Sequence, residues 1–103
     1  MQANDSQTLI LCALAVGPLH GYAINTAIEG MTGKRLGPGS LYGALARLES
    51  KGLVEAAGDD PAEGGRQRPV RLTPAGRDVL EGELRAMERI SAAGLRTLGV
   101  RPA

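Results

Sequence analysis

The side chains best suited to contact a partner chemically lie in residues 37–52. Apolar residues recur there at steps of three and four positions, so they line one face of a helix: Leu41, Ala44, Leu45 and Leu48. The opposite face and the end of the segment carry small groups and two cations: Ser40, Gly43, Arg47, Ser50 and Lys51. Small side chains permit close approach to a grooved polymer, and an arginine can donate hydrogen bonds to phosphates or base edges. The segment therefore predicts a recognition helix.

Residues at both ends of this segment indicate where the helix begins and ends. Pro38 suits the first helical position, where a backbone donor would have no partner, and Gly37 is an acceptable cap before it. Gly52 suits the left-handed position after the last turn, and Lys51 complements the negative end of the helix dipole. These signals predict a helix of about four turns.

Catalytic and metal-binding arrangements are hard to build from this composition. The 103 residues include one cysteine, Cys12, and one histidine, His20, and no pair of carboxylates lies next to either in the sequence. A nucleophile with its base, or a cluster of metal ligands, needs more groups than these. We therefore expect no enzyme activity and no metal or cofactor site, with Cys12 as a buried structural thiol.

Charge and hydropathy narrow the class of protein further. The formal net charge is +1, so an interaction with nucleic acid has to depend on where the cations lie. The apolar run at residues 9–16 is far shorter than the roughly 20 residues that span a bilayer, and no positive charge precedes it as in a secretory signal. Aromatic residues are limited to Tyr22 and Tyr42, which argues against single-strand binding by base stacking. The expectation is one soluble, cytoplasmic domain without a membrane segment.

Two further helices are predicted before the recognition helix. Asp5 or Ser6 can cap a first helix that runs to about residue 16, and a second helix runs from about residue 19 to residue 31. The candidate inward residues of the second helix are Tyr22, Ala23, Ala27, Ile28 and Met31. Three helices in this order are the layout of a helix-turn-helix unit. Because the first helix is apolar on all sides, either a partner subunit or the C-terminal helix of the same chain must cover it.

A β-hairpin is predicted after the recognition helix. Residues 53–57 and 67–72 have the composition of strands, and the polar, glycine-rich residues 58–65 form the turn between them. Arginines cluster on the returning side: Arg66, Arg68 and Arg71. They could contact DNA, or Arg68 and Arg71 could pair with Glu55 and Glu63 across the hairpin.

A long C-terminal helix completes the predicted elements. Thr73 and Pro74 cap and start it, and it runs to about residue 98. One stripe of this helix holds Leu80, Leu84, Met87, Ser91, Gly94, Leu95 and Leu98. Residues 1–73 would then form the DNA-binding unit, and 74–103 would form a dimerisation helix. A homodimer joined through this stripe, with Leu11 and Leu14 facing it, is one explanation; the other is that the helix folds back on its own domain.

Several segments together resemble the PadR family of bacterial transcription regulators. They are residues 9–11 (LIL), 17–22 (GPLHGY), 38–49 (PGSLYGALARLE), 52–54 (GLV), 64–66 (GGR) and 72–77 (LTPAGR). The resemblance implies a mainly α fold with a small β-hairpin, the winged helix-turn-helix, followed by one dimerisation helix as in the compact subgroup. It also implies a homodimer that binds double-stranded DNA, usually as a repressor. We therefore expect an inverted-repeat operator.

The resemblance also assigns roles to individual residues. Together with the outward face described above, it gives a DNA-contacting set: Ser40, Tyr42, Gly43, Arg47, Lys51, Arg66 and Arg68. Family members often release DNA when a small apolar or phenolic effector binds at the dimer interface, which here would be the stripe around Leu84, Met87 and Ser91. This sequence departs from the family at Gly43, where proline is usual, and at Pro69 and Val70, where tyrosines are common. A winged helix used only for protein association is the alternative.

Overall fold

The computed structural model describes residues 5–58 and 68–101. The described part is mainly helical with one two-stranded antiparallel hairpin, as predicted. The register of the hairpin pairs Val54 with Leu72 and Ala56 with Val70. In chain order the elements are α1 (Ser6–Ala13), a 3-10 turn (Leu14–Val16), α2 (Gly21–Thr32), α3 (Pro38–Ser50), β1 (Val54–Ala56), β2 (Val70–Leu72) and α4 (Pro74–Leu98).

Helix α1 lies at the centre of the domain and packs against α2, α3 and α4. The Asp5 carboxylate caps it by accepting a hydrogen bond from Thr8 N at 3.2 Å. Its α-helical part ends at Ala13, earlier than predicted, because residues 14–16 tighten into the 3-10 turn before Gly17 at φ 145°. Ile10, Leu11 and Leu14 are at most 2% exposed. Most of α1 is therefore covered by α2, α3 and α4 of the same chain, and a partner subunit is not needed to bury these three side chains.

The other helices and β1 complete one hydrophobic core around α1. Helix α2 contributes Ile24 and Ile28, and α3 contributes the predicted stripe. Complete burial of Ile24 and Ile28, one helical turn apart, determines which side of α2 faces inward.

That orientation of α2 corrects two predicted core residues. Tyr22 is 78% exposed and Met31 is 50% exposed, whereas Ile24, Asn25 and Ile28 are buried. The prediction was wrong at these two positions because Tyr22 and Met31 lie on the outer side of the helix, whereas Ile28 is buried as predicted, together with Ile24. The Arg35 guanidinium lies 5.1 Å from the centre of the Tyr22 ring, an exposed cation–π contact.

The connection between α2 and α3 is held by the buried side chain of Asn25. Its Nδ2 donates to Leu36 O at 2.7 Å, and its Oδ1 accepts from Leu36 N at 2.8 Å. The amide thus satisfies both backbone groups of one residue, in the way that a neighbouring strand would. This contact fixes where the chain enters α3.

We expect Asn25→Ala to lower the free energy of unfolding by about 1 to 2 kcal/mol, since Leu36 would lose both partners in a half-buried position. Urea denaturation followed by circular dichroism measures this change. Thr26→Ala, at the exposed neighbouring position, is the control and should change stability by no more than about 0.5 kcal/mol. Equal effects of the two substitutions would contradict the role given to Asn25.

The start of α4 anchors the base of the hairpin. The Thr73 hydroxyl accepts from Gly76 N at 3.0 Å, which caps the helix as predicted, and it donates to Gly52 O at 2.6 Å. The Gly76 backbone packs directly against the Leu53 carbonyl, where a Cβ atom would collide. Leu19 and Val70 exchange backbone hydrogen bonds of 2.9 and 3.0 Å, which join the hairpin to the segment before α2.

Most of α4 extends away from this core. Its buried residues are Gly76 and Leu80, both in the first two turns, and the molecule measures 55 × 26 × 20 Å. Beyond Leu80 the apolar stripe is uncovered: Leu84 is 42% exposed and Leu98 is 76% exposed. The fold-back alternative therefore applies only to the start of the helix.

Three of the expected dimer contacts lie in the core of the single chain instead. Leu11, Leu14 and Leu80 are 2%, 2% and 6% exposed within a single chain. They pack in the core that α1 forms with its neighbours, so they present almost no surface to a second copy. The other expected contacts keep exposed or half-buried positions: Leu84, Met87, Ser91, Leu95 and Leu98.

Among the described residues, no helix combines the length and hydropathy needed to cross a membrane.

Candidate nucleic-acid interface

Helix α3 has the two faces that its sequence predicts. Leu41, Ala44 and Leu48 are at most 3% exposed, which fixes the rotation of the helix about its axis. Pro38 occupies the first turn, Gly37 precedes it in an extended conformation, and Gly52 follows at φ 75°. The core and the two ends therefore hold a rigid helix whose other side is open.

The open side of α3 carries Arg47 and small residues. Ser40 and Arg47 are exposed, and Gly43 is half-buried. A Cβ atom at Gly43 would lie 3.8 Å from Arg47 Nη1, so the guanidinium lies back over the glycine. The absence of a side chain at Gly43 gives the arginine room to change its orientation along this face.

Lys51 differs from Arg47 in its surroundings. Its Nζ donates to Gln7 Oε1 on α1 at 2.9 Å, although the side chain remains exposed. The ammonium is thus directed towards α1, off the line formed by Ser40 and Arg47. An exposed hydrogen bond of this kind is weak, and the ammonium can leave it at small cost.

Tyr42 lies on the flank of α3 against the start of α2. A Cβ atom at Gly21 would lie 2.6 Å from the Tyr42 hydroxyl oxygen, so Gly21 makes room for the ring. The tyrosine is half-buried. It therefore packs between the two helices while its edge stays accessible at the surface beside α3.

The described part of the hairpin supplies one paired arginine, Arg71, and one half-buried arginine, Arg68. Arg71 Nε lies 2.8 Å from Glu55 Oε2, with both side chains about half exposed, so this cross-strand pair forms as the pairing alternative predicted. Such a pair contributes at most about 1 kcal/mol to stability. Arg68 is half-buried, and its Nε is buried without a hydrogen-bond partner among residues 5–58 and 68–101. Arg66 and Glu63 lie outside the described residues.

Sequence reasoning missed two polar residues near the start of α3. Asn25 positions the start of α3 through its hydrogen bonds to Leu36. Arg35 contacts the Tyr22 ring and also forms an ion pair with Glu29 Oε1 at 3.0 Å. Arg35 lies three residues before Pro38 in the sequence, and this closeness to the start of α3 could have marked it as a candidate contact residue. A recess of about 400 Å³ lies between Tyr22, Arg35, Pro38 and Tyr42.

Groups for metal binding or thiol chemistry are sparse in the described part of the chain. Residues 5–58 and 68–101 contain no group of three histidine, cysteine or acidic side chains that could hold a metal ion. Burial raises the pKa of the Cys12 thiol above its ordinary value, which favours the unreactive thiol over the thiolate.

The effector site expected at the α4 stripe does not face Leu11 and Leu14, because those side chains are in the core. The recess beside Leu84 measures about 490 Å³. Apolar residues of its lining include Ala15 and Leu72, and its charged residues are Arg77, Asp78, Glu81, Arg85 and Glu88. It is thus more polar than a site for an apolar effector would be.

Comparison with known proteins identifies the family. The profile of the Transcriptional regulator PadR-like family matches residues 10–82. An uncharacterized 37.1 kDa protein in transposon TN4556 of Streptomyces fradiae is 65% identical over 91 residues, which are 88% of this chain and 25% of that protein. Transcriptional regulator Rv3488 of Mycobacterium tuberculosis is 41% identical over 59 residues, 57% of this chain and 54% of that protein. The chain therefore spans a quarter of the first relative and about half of the second.

A solved structure agrees in fold over nearly the full chain. A PadR family transcription regulator from hypervirulent Clostridium difficile R20291 superposes with a TM-score of 0.74 at 29% identity, covering 90% of this chain and 97% of that one. The winged helix-turn-helix with a C-terminal helix is therefore shared with a family member of nearly the same extent. Since the family profile also covers well over half of the 103 residues, the chain belongs to the PadR-like family of transcriptional regulators.

Proposed function

We propose that this chain binds double-stranded DNA as a homodimer and represses transcription from an inverted-repeat operator. The observation that carries this proposal is the open face of α3, where exposed Ser40 and Arg47 flank Gly43 on a helix whose back is locked into the core. A face of small residues with one guanidinium matches a major groove, which admits a helix. Occupancy of an operator that overlaps a promoter would then block transcription.

Contacts of two kinds follow from this arrangement. Arg47, lying over Gly43, can extend to a guanine edge or to a phosphate, and Ser40 in the first turn of α3 can donate to the backbone. The exposed Arg35 and Tyr22 lie beside the start of α3, where a phosphate strand would pass. Arg68 is half-buried beside α3, so it remains a proposed contact from the hairpin.

The uncovered stripe of α4 supports the proposed homodimer. Large apolar side chains are exposed along this helix: Leu84 at 42%, Ile90 at 51% and Leu98 at 76%. Exposed apolar surface of this kind is typical of an interaction site. Pairing two copies through this helix removes it from water and gives a two-fold assembly. A two-fold protein requires a two-fold site, with half-sites roughly 34 to 36 Å apart, one turn of B-DNA.

The proposal is tested by selecting genomic fragments that the full chain binds and measuring their affinity by fluorescence anisotropy. We expect enrichment of fragments with an inverted repeat and an affinity that falls steeply with salt, since phosphate contacts release counterions. If the protein forms a dimer but enriches no fragment, the result would instead support the alternative of a winged helix used only for protein association. Binding that barely changes between low and moderate salt would contradict the contacts proposed for Arg47.

Arg47→Ala is expected to weaken binding to the selected operator by about 1 to 3 kcal/mol if the guanidinium reads a base. Anisotropy titrations against the operator and against a scrambled duplex measure the change. A base contact predicts that the variant loses discrimination between the two duplexes. A phosphate contact predicts equal weakening on both and a smaller salt slope.

Lys51→Ala, at the residue that caps the C-terminal end of α3, is the matched control. Its ammonium is directed to Gln7, so its removal should weaken operator binding less than the removal of Arg47 does. A larger effect of Lys51 would move the proposed contact face towards α1.

A further inference from the structure

The outer side of α2 carries three side chains that contact a single arginine. Tyr22, Thr26 and Glu29 recur at steps of four and three positions, so they lie along one side of the helix, and all three are exposed. Arg35, in the connection between α2 and α3, lies over this side. Its guanidinium is therefore held against α2 instead of extending freely into water.

The contacts of Arg35 leave much of its guanidinium available. Its Cζ lies 5.1 Å from the centre of the Tyr22 ring, and its Nη1 donates to Glu29 Oε1 at 3.0 Å and to Thr26 Oγ1 at 3.4 Å. Within residues 5–58 and 68–101, neither Nε nor Nη2 donates a hydrogen bond. Of the three partners, Glu29 alone carries a charge. The carboxylate thus neutralises a planar fork that also fits a phosphate.

The position of this cluster relates it to the proposed DNA-contacting helix. Tyr22 and Arg35 line the recess of about 400 Å³ that Pro38 and Tyr42 bound on the side of α3. The side chain of Arg35 is 35% exposed and that of Glu29 is 50% exposed. A phosphate backbone that reaches the start of α3 therefore meets the cation and the anion together. Because phosphate and carboxylate have the same sign, they compete for the guanidinium.

We propose that Glu29 is an internal competitor for a DNA phosphate that Arg35 binds, a role that rests on the proposed function. In the free protein the carboxylate holds Nη1, and on DNA a phosphodiester oxygen takes its place while the Tyr22 ring keeps the guanidinium oriented. The exchange is feasible because an exposed ion pair is weak. Phosphates are alike in every duplex, so Glu29 lowers the affinity for all sequences to a similar extent.

Glu29→Gln tests the competition, since it removes the charge and keeps the size of the side chain. We expect the full chain to bind both the selected operator and a scrambled duplex about two- to fivefold more tightly per subunit, measured by fluorescence anisotropy. A gain in affinity cannot result from a loss of structure. Weaker binding would show that the carboxylate orients Arg35 for DNA, and it would overturn the proposal.

Arg35→Ala tests the phosphate contact itself. Binding to both duplexes should weaken by about tenfold per subunit, and the slope of log affinity against log salt should become shallower by about 0.9 per subunit. Arg35→Lys should restore the slope but not the full affinity, because an ammonium lacks the planar fork. An unchanged slope for Arg35→Ala would contradict a phosphate contact.

The double variant Glu29→Gln with Arg35→Ala separates competition from general charge. If the carboxylate acts by occupying the guanidinium, its removal should give a much smaller gain when the arginine is absent. An equal gain in both backgrounds would mean that Glu29 only repels DNA, and the proposal would fail. Tyr22→Phe keeps the ring and should bind as the parent does, whereas Tyr22→Leu should weaken both duplexes.

Glu81→Gln is the matched control for Glu29→Gln. Glu81 pairs with Arg85 at 2.9 Å on α4, and both side chains are exposed, so the change in charge is the same in another ion pair. It should leave DNA affinity nearly unchanged, and a gain equal to that of Glu29→Gln would overturn the proposal. Thermal unfolding of each variant shows whether a loss of binding reflects a loss of structure.

Failure of this role can be distinguished from failure of the proposed function. Operator binding that is indifferent to Arg35→Ala would overturn the role of Glu29 and Arg35 alone, while the effect of Arg47→Ala would still support the recognition helix. A protein that binds neither the operator nor any other duplex would overturn both.

Discussion

A charge placed on the uncovered stripe of α4 is expected to separate the dimer into single chains. Leu84→Glu is the change, at a side chain 42% exposed in one chain, so the domain itself should keep its fold. In a two-fold dimer the substitution occurs twice, and two carboxylates would be buried in an apolar contact without partners. We expect dimer affinity to fall by about 100-fold or more, and sedimentation velocity at micromolar concentration measures it.

Loss of the dimer is also expected to remove most of the operator affinity. Each half-site contact persists in a single chain, but the second contact no longer benefits from the linkage to the first. Anisotropy with the selected operator should therefore show weak binding by Leu84→Glu, with a Hill coefficient near that of independent sites. This result connects the stripe of α4 to the function proposed for α3.

Ala93→Glu is the matched control for the stripe. Nine residues from Leu84, it lies on the opposite side of the same helix and is exposed. The charge change is identical, so the variant should remain dimeric and bind the operator normally. If both variants dissociated, or if neither did, the dimer would not use the stripe containing Leu84.

Gly76→Ala is expected to cause the largest loss of stability among single methyl additions in α4. A Cβ atom there collides with the carbonyl of Leu53, a backbone group that cannot rotate away. Either α4 shifts away from the loop before β1, or the loop moves and disturbs the Thr73 contacts to Gly52 and Gly76. We expect the free energy of unfolding to fall by roughly 1 to 3 kcal/mol, measured by chemical denaturation.

Gly82→Ala is the control for Gly76, because both glycines lie in the same helix. A Cβ atom at Gly82 would meet nothing within 4 Å. Alanine there should stabilise the protein by about 0.5 to 1 kcal/mol through its higher helix propensity. Destabilisation by both substitutions would show that packing against Leu53 is not the reason for the glycine at residue 76.

The two kinds of variant test different links between α4 and DNA. Displacement of α4 at Gly76 alters the base of the hairpin that lies beside α3, whereas a charge at Leu84 leaves that region intact. Gly76→Ala should therefore weaken operator binding by chains that still dimerise, whereas Leu84→Glu should weaken it by separating the dimer.

Local sequence patterns determined the helices with strong terminal signals and a clear apolar period. Pro38, Gly52 and the spacing of Leu41 and Leu48 specify α3, and Thr73 with Pro74 specifies the start of α4. These features depend on contacts between residues close in the chain or on one helical face. Such contacts can be derived without knowing what packs against them.

Only the tertiary structure decided which apolar surfaces the chain covers by itself. Ile24, rather than Tyr22 or Met31, joins Ile28 on the inward side of α2 because of the way α2 packs on α1. Likewise, Leu11 and Leu14 became core residues because α1 and the turn after it pack against other elements, among them α3 and α4, which are distant in sequence. Asn25 with Leu36 and Gly76 with Leu53 bring together residues 11 and 23 positions apart. Their roles follow from the way whole elements pack, which a local period does not encode.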